Sequence, residues 1–233
     1  MKVTILHLYY DFMNLYGEYG NVKVLEKHLH DQGFAVKIDN KTVGDKLNFS
    51  QYDIIYIGCG TEKSLEYVSK HLANYIDDIK DYIEKNGLIL CTGNSFEMFG
   101  KSIDDKEMLN IFEYTVKRLK DRKTSDIIYT SDILTNKVVG FVNKMGEVEN
   151  NNYHLFEVKF GIGENNENKY EGVYYNNFFG TYVTGPILAR NPELLKLFVI
   201  KLCSKKDIIY KEIKYENEEK AYNLVLTELE NRK

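Results

Sequence analysis

The chain has 233 residues, of which 43% are hydrophobic and 28% charged, a composition typical of one large globular domain with a full core. A formal net charge of -4 provides no global basic field, so we expect no nucleic-acid partner. No apolar run approaches the roughly 20 residues that span a bilayer. The three cysteines have no metal-ligand spacing, so we expect neither a metal nor a cofactor, and their odd number argues against a disulfide framework, which favours a reducing cytoplasm.

Over the first hundred residues, short apolar runs alternate with helix-length amphipathic stretches. This alternation, joined by crossovers, indicates a mainly parallel sheet with helices on both faces. The predicted elements are strand Val3–Leu8, helix Asn21–Gln32, strands Ala35–Ile38 and Asp53–Ile57, one or two helices over Leu65–Glu84, and strand Leu88–Cys91.

From about Phe112 the pattern changes to strands separated by short polar turns, which indicates a mixed or antiparallel extension. The predicted strands are Tyr114–Arg118, Ser125–Thr130, Lys137–Val142, Leu155–Phe160 and Phe178–Val183.

Two helices are predicted in the remainder of the chain. One begins at Asn191-Pro192, because proline suits a first helical turn. The other is amphipathic, covers Glu218–Arg232, and carries Ala221, Leu224, Val225 and Leu229 on one face. No long linker interrupts the sequence, so residues 206–233 are predicted to be a C-terminal segment of the same domain as residues 1–205.

Two loops are candidates for a ligand site, because open parallel sheets bind ligands at the carboxyl ends of their strands. The first contains Gly58 and Gly60, and because glycine has no side chain, the backbone N–H groups of this loop can approach an anion closely. The second contains Thr92 and Gly93 and is typical of a tight elbow between a strand and a helix. Such an elbow can expose a nucleophile beside a helix N-terminus. Taken alone, each loop is more often a simple tight turn between a strand and a helix.

Motifs along most of the chain resemble one known family. They are Asp11–Asn21, Asp53–Gly60, Gly87–Gly100, Val139–Phe141, Gly161–Asn166 and, most densely, Glu171–Asn177 followed by Gly180–Leu194. These segments resemble the glutaminase subunits of lipid II isoglutaminyl synthases, within the class I glutamine amidotransferases.

This resemblance implies a flavodoxin-like fold and the release of ammonia from glutamine. It also implies a Mur-ligase-like synthetase partner that uses the ammonia to amidate the D-glutamate of a peptidoglycan precursor. The chemistry requires a thiolate nucleophile, a histidine that shuttles the proton and backbone donors for the oxyanion.

The position of the nucleophile has two interpretations. Aligned from the strand, Gly87 to Cys91, the resemblance places Cys91 at the nucleophile. Aligned backwards from Phe96 to Gly100, it places Gly93 there. The two alignments differ by two residues, and both stay open on the sequence alone.

The other site positions also depart from the family. Thr184 stands where the resemblance places the catalytic histidine, and threonine is not a general base near neutral pH. A second family histidine is replaced at Lys144. Arg122 matches an arginine that helps bind glutamine, although a solvent-facing arginine in a charged run is an equal alternative. Of the histidines, His154 is the least excluded as a substitute base.

Three functions are consistent with this pattern. The favoured one is an amidotransferase-like subunit that is impaired in glutamine hydrolysis and acts as a partner, regulatory or small-ligand-binding subunit. The alternative is an active glutaminase that uses Cys91 to supply ammonia. The third is an unrelated flavodoxin-like module that binds a small ligand or phosphate.

Overall fold

The computed structural model describes residues 1–167 and 169–232. The strands are β1 (Lys2–Leu8), β2 (Ala35–Lys41), β3 (Ile54–Ile57), β4 (Leu88–Thr92), β5 (Ser102–Ile103), β6 (Lys106–Glu107), β7 (Thr115–Thr130), β8 (Val138–Glu149), β9 (Phe156–Phe160), β10 (Tyr170–Glu171), β11 (Val173–Tyr175), β12 (Phe178–Thr181) and β13 (Val183–Thr184). The α-helices are α1 (Tyr19–Asp31), α2 (Glu62–Leu72), α3 (Ile76–Glu84), α4 (Ile187–Arg190), α5 (Pro192–Lys205) and α6 (Glu216–Asn231), and short 3-10 helices cover Leu15–Gly17, Phe49–Gln51, Ala73–Tyr75 and Gly93–Phe99.

A six-stranded sheet in the order β11-β12-β4-β3-β1-β2 forms the centre of the fold. The neighbours from β12 to β2 run parallel, and only β11 is antiparallel to its partner β12. Every residue of β3 and β4 is buried, as expected for strands covered on both faces. The continuous apolar runs Ile54–Ile57 and Leu88–Leu90 are therefore what this position in the sheet requires.

The strand order changes direction between β1 and β3. Strand β2 lies on one side of β1, whereas β3 and β4 follow on the other side. Because parallel crossovers are right-handed, α1 and the pair α2–α3 cover opposite faces. The loops after β1 and β3 consequently flank the point where open α/β sheets hold their ligands.

A second sheet forms the predicted mixed extension. Its order is β10-β9-β7-β5-β6, and β8 pairs with both β7 and β13. Most of its pairs are antiparallel, whereas β5 and β7 run parallel. The flavodoxin-like α/β prediction with a mixed extension is thus confirmed.

Some element boundaries differ from the sequence-based prediction. The predicted strands Tyr114–Arg118 and Ser125–Thr130 belong, apart from Tyr114, to the single long strand β7. The polar run between them forms a bulge, between Arg118 and Lys123, without ending the strand. The sequence predicts none of the short strands β5, β6, β10 and β11. The run Phe178–Val183 is divided between the two sheets, with Tyr182 at the junction.

Of the face predicted for the C-terminal helix, only Leu229 is buried, and Ala221, Leu224 and Val225 are exposed. Tyr222 and Leu229 are buried, whereas Leu224 is 73% exposed and Val225 is exposed as well. Helix α6 contacts α4, α5, β7 and β8 through this buried side. The division at residue 205 stays a prediction. Among the described residues, no helix is both long and apolar enough to cross a membrane.

Candidate functional site

The carboxyl edge of the parallel sheet brings together most of the predicted site residues. Gly58 and Gly60 follow β3, Gly93 follows β4, and Thr184 lies in β13 directly after the end of β12. The segment between β1 and α1 covers this edge, where the Leu15 N–H donates to the Cys59 carbonyl at 2.9 Å. Residues far apart in sequence thereby form one candidate site.

The elbow after β4 turns at Gly93, whose φ of +64° lies in the left-handed region. Non-glycine residues rarely adopt this conformation. Just after the turn, the Ser95 hydroxyl contacts two carbonyl oxygens, those of Ile57 at 3.0 Å and Thr92 at 2.9 Å. Gly93 therefore occupies the apex of the strand-to-helix turn.

Cys91 lies two residues before that apex, inside β4. It is paired with Ile57 on one side and Gly180 on the other, and it is 0% exposed. Burial raises the pKa of its thiol far above the usual range, and a hydrogen bond with Ser95 only partly opposes this effect. The thiol therefore stays protonated at neutral pH. Its assignment as a nucleophile stays a prediction.

The Gly58–Gly60 loop is already hydrogen-bonded to the elbow. The Gly60 N–H donates to Asn94 Oδ1 at 3.1 Å, and Asn94 Nδ2 donates to the Gly60 carbonyl at 2.9 Å. Thr61 accepts from the Ser64 N–H at 3.0 Å and caps α2. The N–H of Gly60 is consequently occupied by a side chain of the same chain, and the predicted anion-binding role of this loop stays untested.

Thr184 faces the second sheet. It is buried, pairs with Phe141 of β8, and donates its hydroxyl proton to the Phe141 carbonyl at 3.1 Å. This arrangement satisfies the hydroxyl within the sheet. The next residue, Gly185, has a φ of +75° and donates its N–H to Glu18 Oε1 at 2.8 Å.

Glu18 is a site residue that the sequence interpretation did not single out. Its carboxylate is completely buried. Oε2 accepts from the hydroxyls of Tyr56 and Thr92, each at 2.6 Å. Asn21 Nδ2 donates to the Tyr56 oxygen at 2.8 Å. Its position within the Asp11–Asn21 motif was the available signal, but only the fold brings it beside the elbow.

Burial raises the pKa of Glu18 to about 7, although hydrogen bonds from Thr92, Tyr56 and Gly185 favour its charged form. This carboxyl group is consequently poised between its neutral and charged states near physiological pH. It connects the segment before α1 with the ends of β3 and β4 and with the residue after Thr184.

Arg122 belongs to the bulge of β7 and reaches the start of α2. Its guanidinium donates to Glu62 Oε1 at 2.7 Å and to Asn143 Oδ1 at 3.2 Å. Asn143 in turn donates to the Tyr16 hydroxyl at 2.9 Å. The arginine side chain is 40% exposed. It therefore lies near the candidate site, already paired with a carboxylate, and its role in binding glutamine stays a prediction.

Two buried charged side chains, Glu97 and Lys144, are paired within the protein near the elbow and the second sheet. Glu97 accepts an ion pair from Arg118 at 2.7 Å and a hydrogen bond from the Tyr182 hydroxyl at 2.9 Å. Lys144, at the second family histidine position, donates to the carbonyls of Gly163 and Glu164 at 2.7 and 2.6 Å. These contacts give Lys144 a structural role between β8 and the loop after β9.

The histidines lie in other surroundings. His154, the remaining candidate for a substitute base, stacks on Tyr170 with ring centroids 4.4 Å apart, and its Nδ1 lies 3.6 Å from Glu164 Oε1. His7 lies in β1 beside Tyr56, with ring centroids 5.4 Å apart. Burial lowers the pKa of His7 to about 4.

Three surface cavities, of about 370, 650 and 450 Å³, lie away from the elbow. None of these three is lined by Gly58, Gly60, Gly93 or Thr184. In the part of the chain that the structure describes, no group of three or more His, Cys, Asp or Glu residues could hold a metal ion.

The fold and elbow define an α/β domain of the class I glutamine amidotransferase type. Residues 4–192 match the CobB/CobQ-like glutamine amidotransferase domain, and the chain belongs to this family. The fold also resembles the structure of PurLQS from Thermotoga maritima, with a TM-score of 0.55, 14% identity, and coverage of 88% of this chain and 97% of that one. At this identity the likeness concerns the fold alone.

Two relatives are more similar in sequence. The chain is 31% identical over 224 residues to the lipid II isoglutaminyl synthase (glutamine-hydrolyzing) subunit GatD of Staphylococcus aureus (strain N315), covering 93% of this chain and 91% of that protein. It is 30% identical over 213 residues to the same subunit of Streptococcus pneumoniae (strain ATCC BAA-255 / R6), covering 88% and 82% respectively. The predicted resemblance is confirmed.

Proposed function

We propose that this chain is a glutamine amidotransferase-type subunit that takes part in lipid II amidation but does not hydrolyse glutamine by the family's cysteine–histidine mechanism. In this role it is a partner, regulatory or small-ligand-binding subunit. The observation that carries the proposal is the elbow apex, where the residue at the left-handed φ is Gly93, which has no side chain and so offers no nucleophile.

The surroundings of the other two predicted groups support the same proposal. Cys91 is fully buried within β4, and the pKa of its thiol is raised by burial, so the reactive thiolate is not formed near neutral pH. Thr184 already donates its hydroxyl proton to Phe141 and supplies no base. Hydrolysis through this pair would need both a displaced strand and a proton acceptor.

The relatives' designation as synthase subunits supports a protein partner. We propose a Mur-ligase-like synthetase, with lipid II as the acceptor of the complex and residence in the cytoplasm. Glutamine or a similar small ligand is a candidate for binding beside Arg122. This arginine would then have to exchange its ion pair with Glu62 for one with the ligand's carboxylate. Such an exchange would couple ligand binding to the start of α2.

Glutamate release from glutamine tests the hydrolysis claim. The purified chain would be assayed alone and with its synthetase, beside the Cys91→Ala variant. We expect no release above that variant. Release by the unmodified chain that Cys91→Ala abolishes would reject the proposal and establish the alternative, an active glutaminase that uses Cys91. The relatives' description as glutamine-hydrolyzing favours that second candidate.

Ligand binding is tested separately by calorimetric titration with glutamine. If Arg122 binds the ligand carboxylate, Arg122→Ala weakens binding whereas Lys120→Ala, an exposed cation of the same bulge, leaves it unchanged. Equal affinities in both variants would remove the arginine from the proposal. If the unmodified chain does not bind glutamine, only the role as a partner or regulatory subunit is left.

A further inference from the structure

The elbow glycine directly faces the side chain of Cys59. A Cβ atom added to Gly93 would lie less than 3.0 Å from both the Cβ and the Sγ of Cys59, closer than real Cβ contacts. The same space would have to hold the first atoms of any nucleophilic side chain at residue 93. Cys59 comes from the opposite loop, after β3, and is 3% exposed.

Several contacts hold Cys59 in this position. Its thiol lies 3.7 Å from Asn94 Oδ1 and 3.8 Å from the Gly60 carbonyl, both within the range of a weak S–H donor. Its own carbonyl accepts from the Leu15 N–H at 2.9 Å. The two hydrogen bonds between Asn94 and Gly60 join the loop to the elbow on the far side. The side chain is thereby fixed against Gly93.

Its surroundings do not activate the Cys59 thiol. Burial raises its pKa to about 12, the negative charge of Glu18 acts in the same direction, and a hydrogen bond with Asn94 opposes them. The protonated thiol is a small apolar group at neutral pH. Cys59 therefore fills space opposite Gly93 and is not a reactive thiol at neutral pH.

We propose that Cys59 closes the elbow sterically, so that residues 59 and 93 form a mutually exclusive pair of which only one can carry a side chain. The space that the Cβ of a nucleophile at residue 93 would need is then the space that Cys59 occupies. Adding a cysteine at residue 93 does not reopen the site unless the side chain at 59 is removed. This inference rests on the proposed function only for taking Gly93 as the elbow position.

A double-mutant cycle on thermal unfolding tests this exclusion. Gly93→Ala is introduced into the unmodified chain and into Cys59→Gly. The strain of a non-glycine residue at a φ of +64° is present in both backgrounds and cancels in the comparison. We expect the decrease in Tm caused by Gly93→Ala to be at least halved in Cys59→Gly. An equal decrease in both backgrounds would overturn the inference.

Cys59→Ala and Cys59→Ser provide matched backgrounds. Both keep the Cβ atom that faces Gly93, so each should retain most of the penalty of Gly93→Ala, whereas Cys59→Gly relieves it. Relief of the same size in all three backgrounds would contradict a steric cause. It would indicate instead that the loop relaxes after any substitution.

Native-state alkylation gives a second test that needs no substitution. Iodoacetamide labelling of the folded chain, mapped by mass spectrometry of peptides, should modify Cys59 as slowly as the fully buried Cys91. Labelling of Cys59 at least ten times faster than Cys91 would show an open elbow and reject the inference. Both tests measure packing around residues 59 and 93 and not catalysis. Glutamine hydrolysis by the chain would therefore reject the proposed function without deciding whether Cys59 and a side chain at residue 93 exclude each other.

Discussion

The buried carboxyl group of Glu18 should make the stability of the protein fall as the pH rises toward 7. Three oxygen–oxygen contacts join Glu18, Tyr56 and Thr92, at 2.6, 2.6 and 2.8 Å. Two hydroxyl protons cannot serve all three contacts. A proton on the carboxyl group completes the ring, which is a geometric reason, besides burial, for the raised pKa of about 7.

The sign of the effect follows from proton binding. With a pKa of about 7 in the folded chain and 4.5 in the unfolded chain, the folded state binds more protons between these values. The contribution of Glu18 is therefore fully present below pH 4.5 and is lost as the pH rises to about 7. The loss amounts to about 3 kcal/mol. In a chain of this size it corresponds to roughly 6–12 °C in Tm.

Glu18→Gln removes the titration and keeps the shape, because the amide can donate where the carboxyl proton did. Urea unfolding at pH 5 and pH 8 measures the effect. Because part of the contribution is already lost at pH 5, the unmodified chain should lose about 2–3 kcal/mol relative to Glu18→Gln over this interval. The exposed Glu113→Gln serves as the control and should parallel the unmodified chain. Parallel curves for Glu18→Gln and the unmodified chain would refute the reasoning.

Three further predictions concern packing. Arg118→Ala leaves the buried carboxylate of its ion pair without a cation and should cost about 3–5 kcal/mol in urea unfolding, whereas Arg122→Ala, whose pair is partly exposed, should cost less than about 1 kcal/mol. A similar cost for both arginines would contradict the assigned burial. In the folded state the three cysteines, all buried, should react slowly with a thiol-specific reagent, and all three should react after denaturation. Fast reaction of any one would show local opening. In thermal unfolding, Leu229→Ala should lower stability by about 2–5 kcal/mol, whereas Leu224→Ala, at an exposed position, should lower it by less than about 0.5 kcal/mol. The reverse order would mean that α6 packs on its other face.

The amino-acid sequence by itself determined the alternating strands and helices, the mixed extension and the family. Central strands such as Ile54–Ile57 were recognisable because burial on both faces leaves a continuous apolar run. The replacement at Thr184 was equally readable, because it falls inside a dense motif. Such features are local in the chain, so neighbouring residues suffice to identify them.

Only the tertiary structure decided how the elbow is built. Gly93 stands at the apex while Cys91 lies inside β4, a distinction that depends on backbone angle and sheet register. The contacts of Glu18 with the end of β4, and of Cys59 with Gly93, join residues 34 or more positions apart. A linear pattern carries no signal for such contacts, because they arise when separate loops meet at one edge of the sheet.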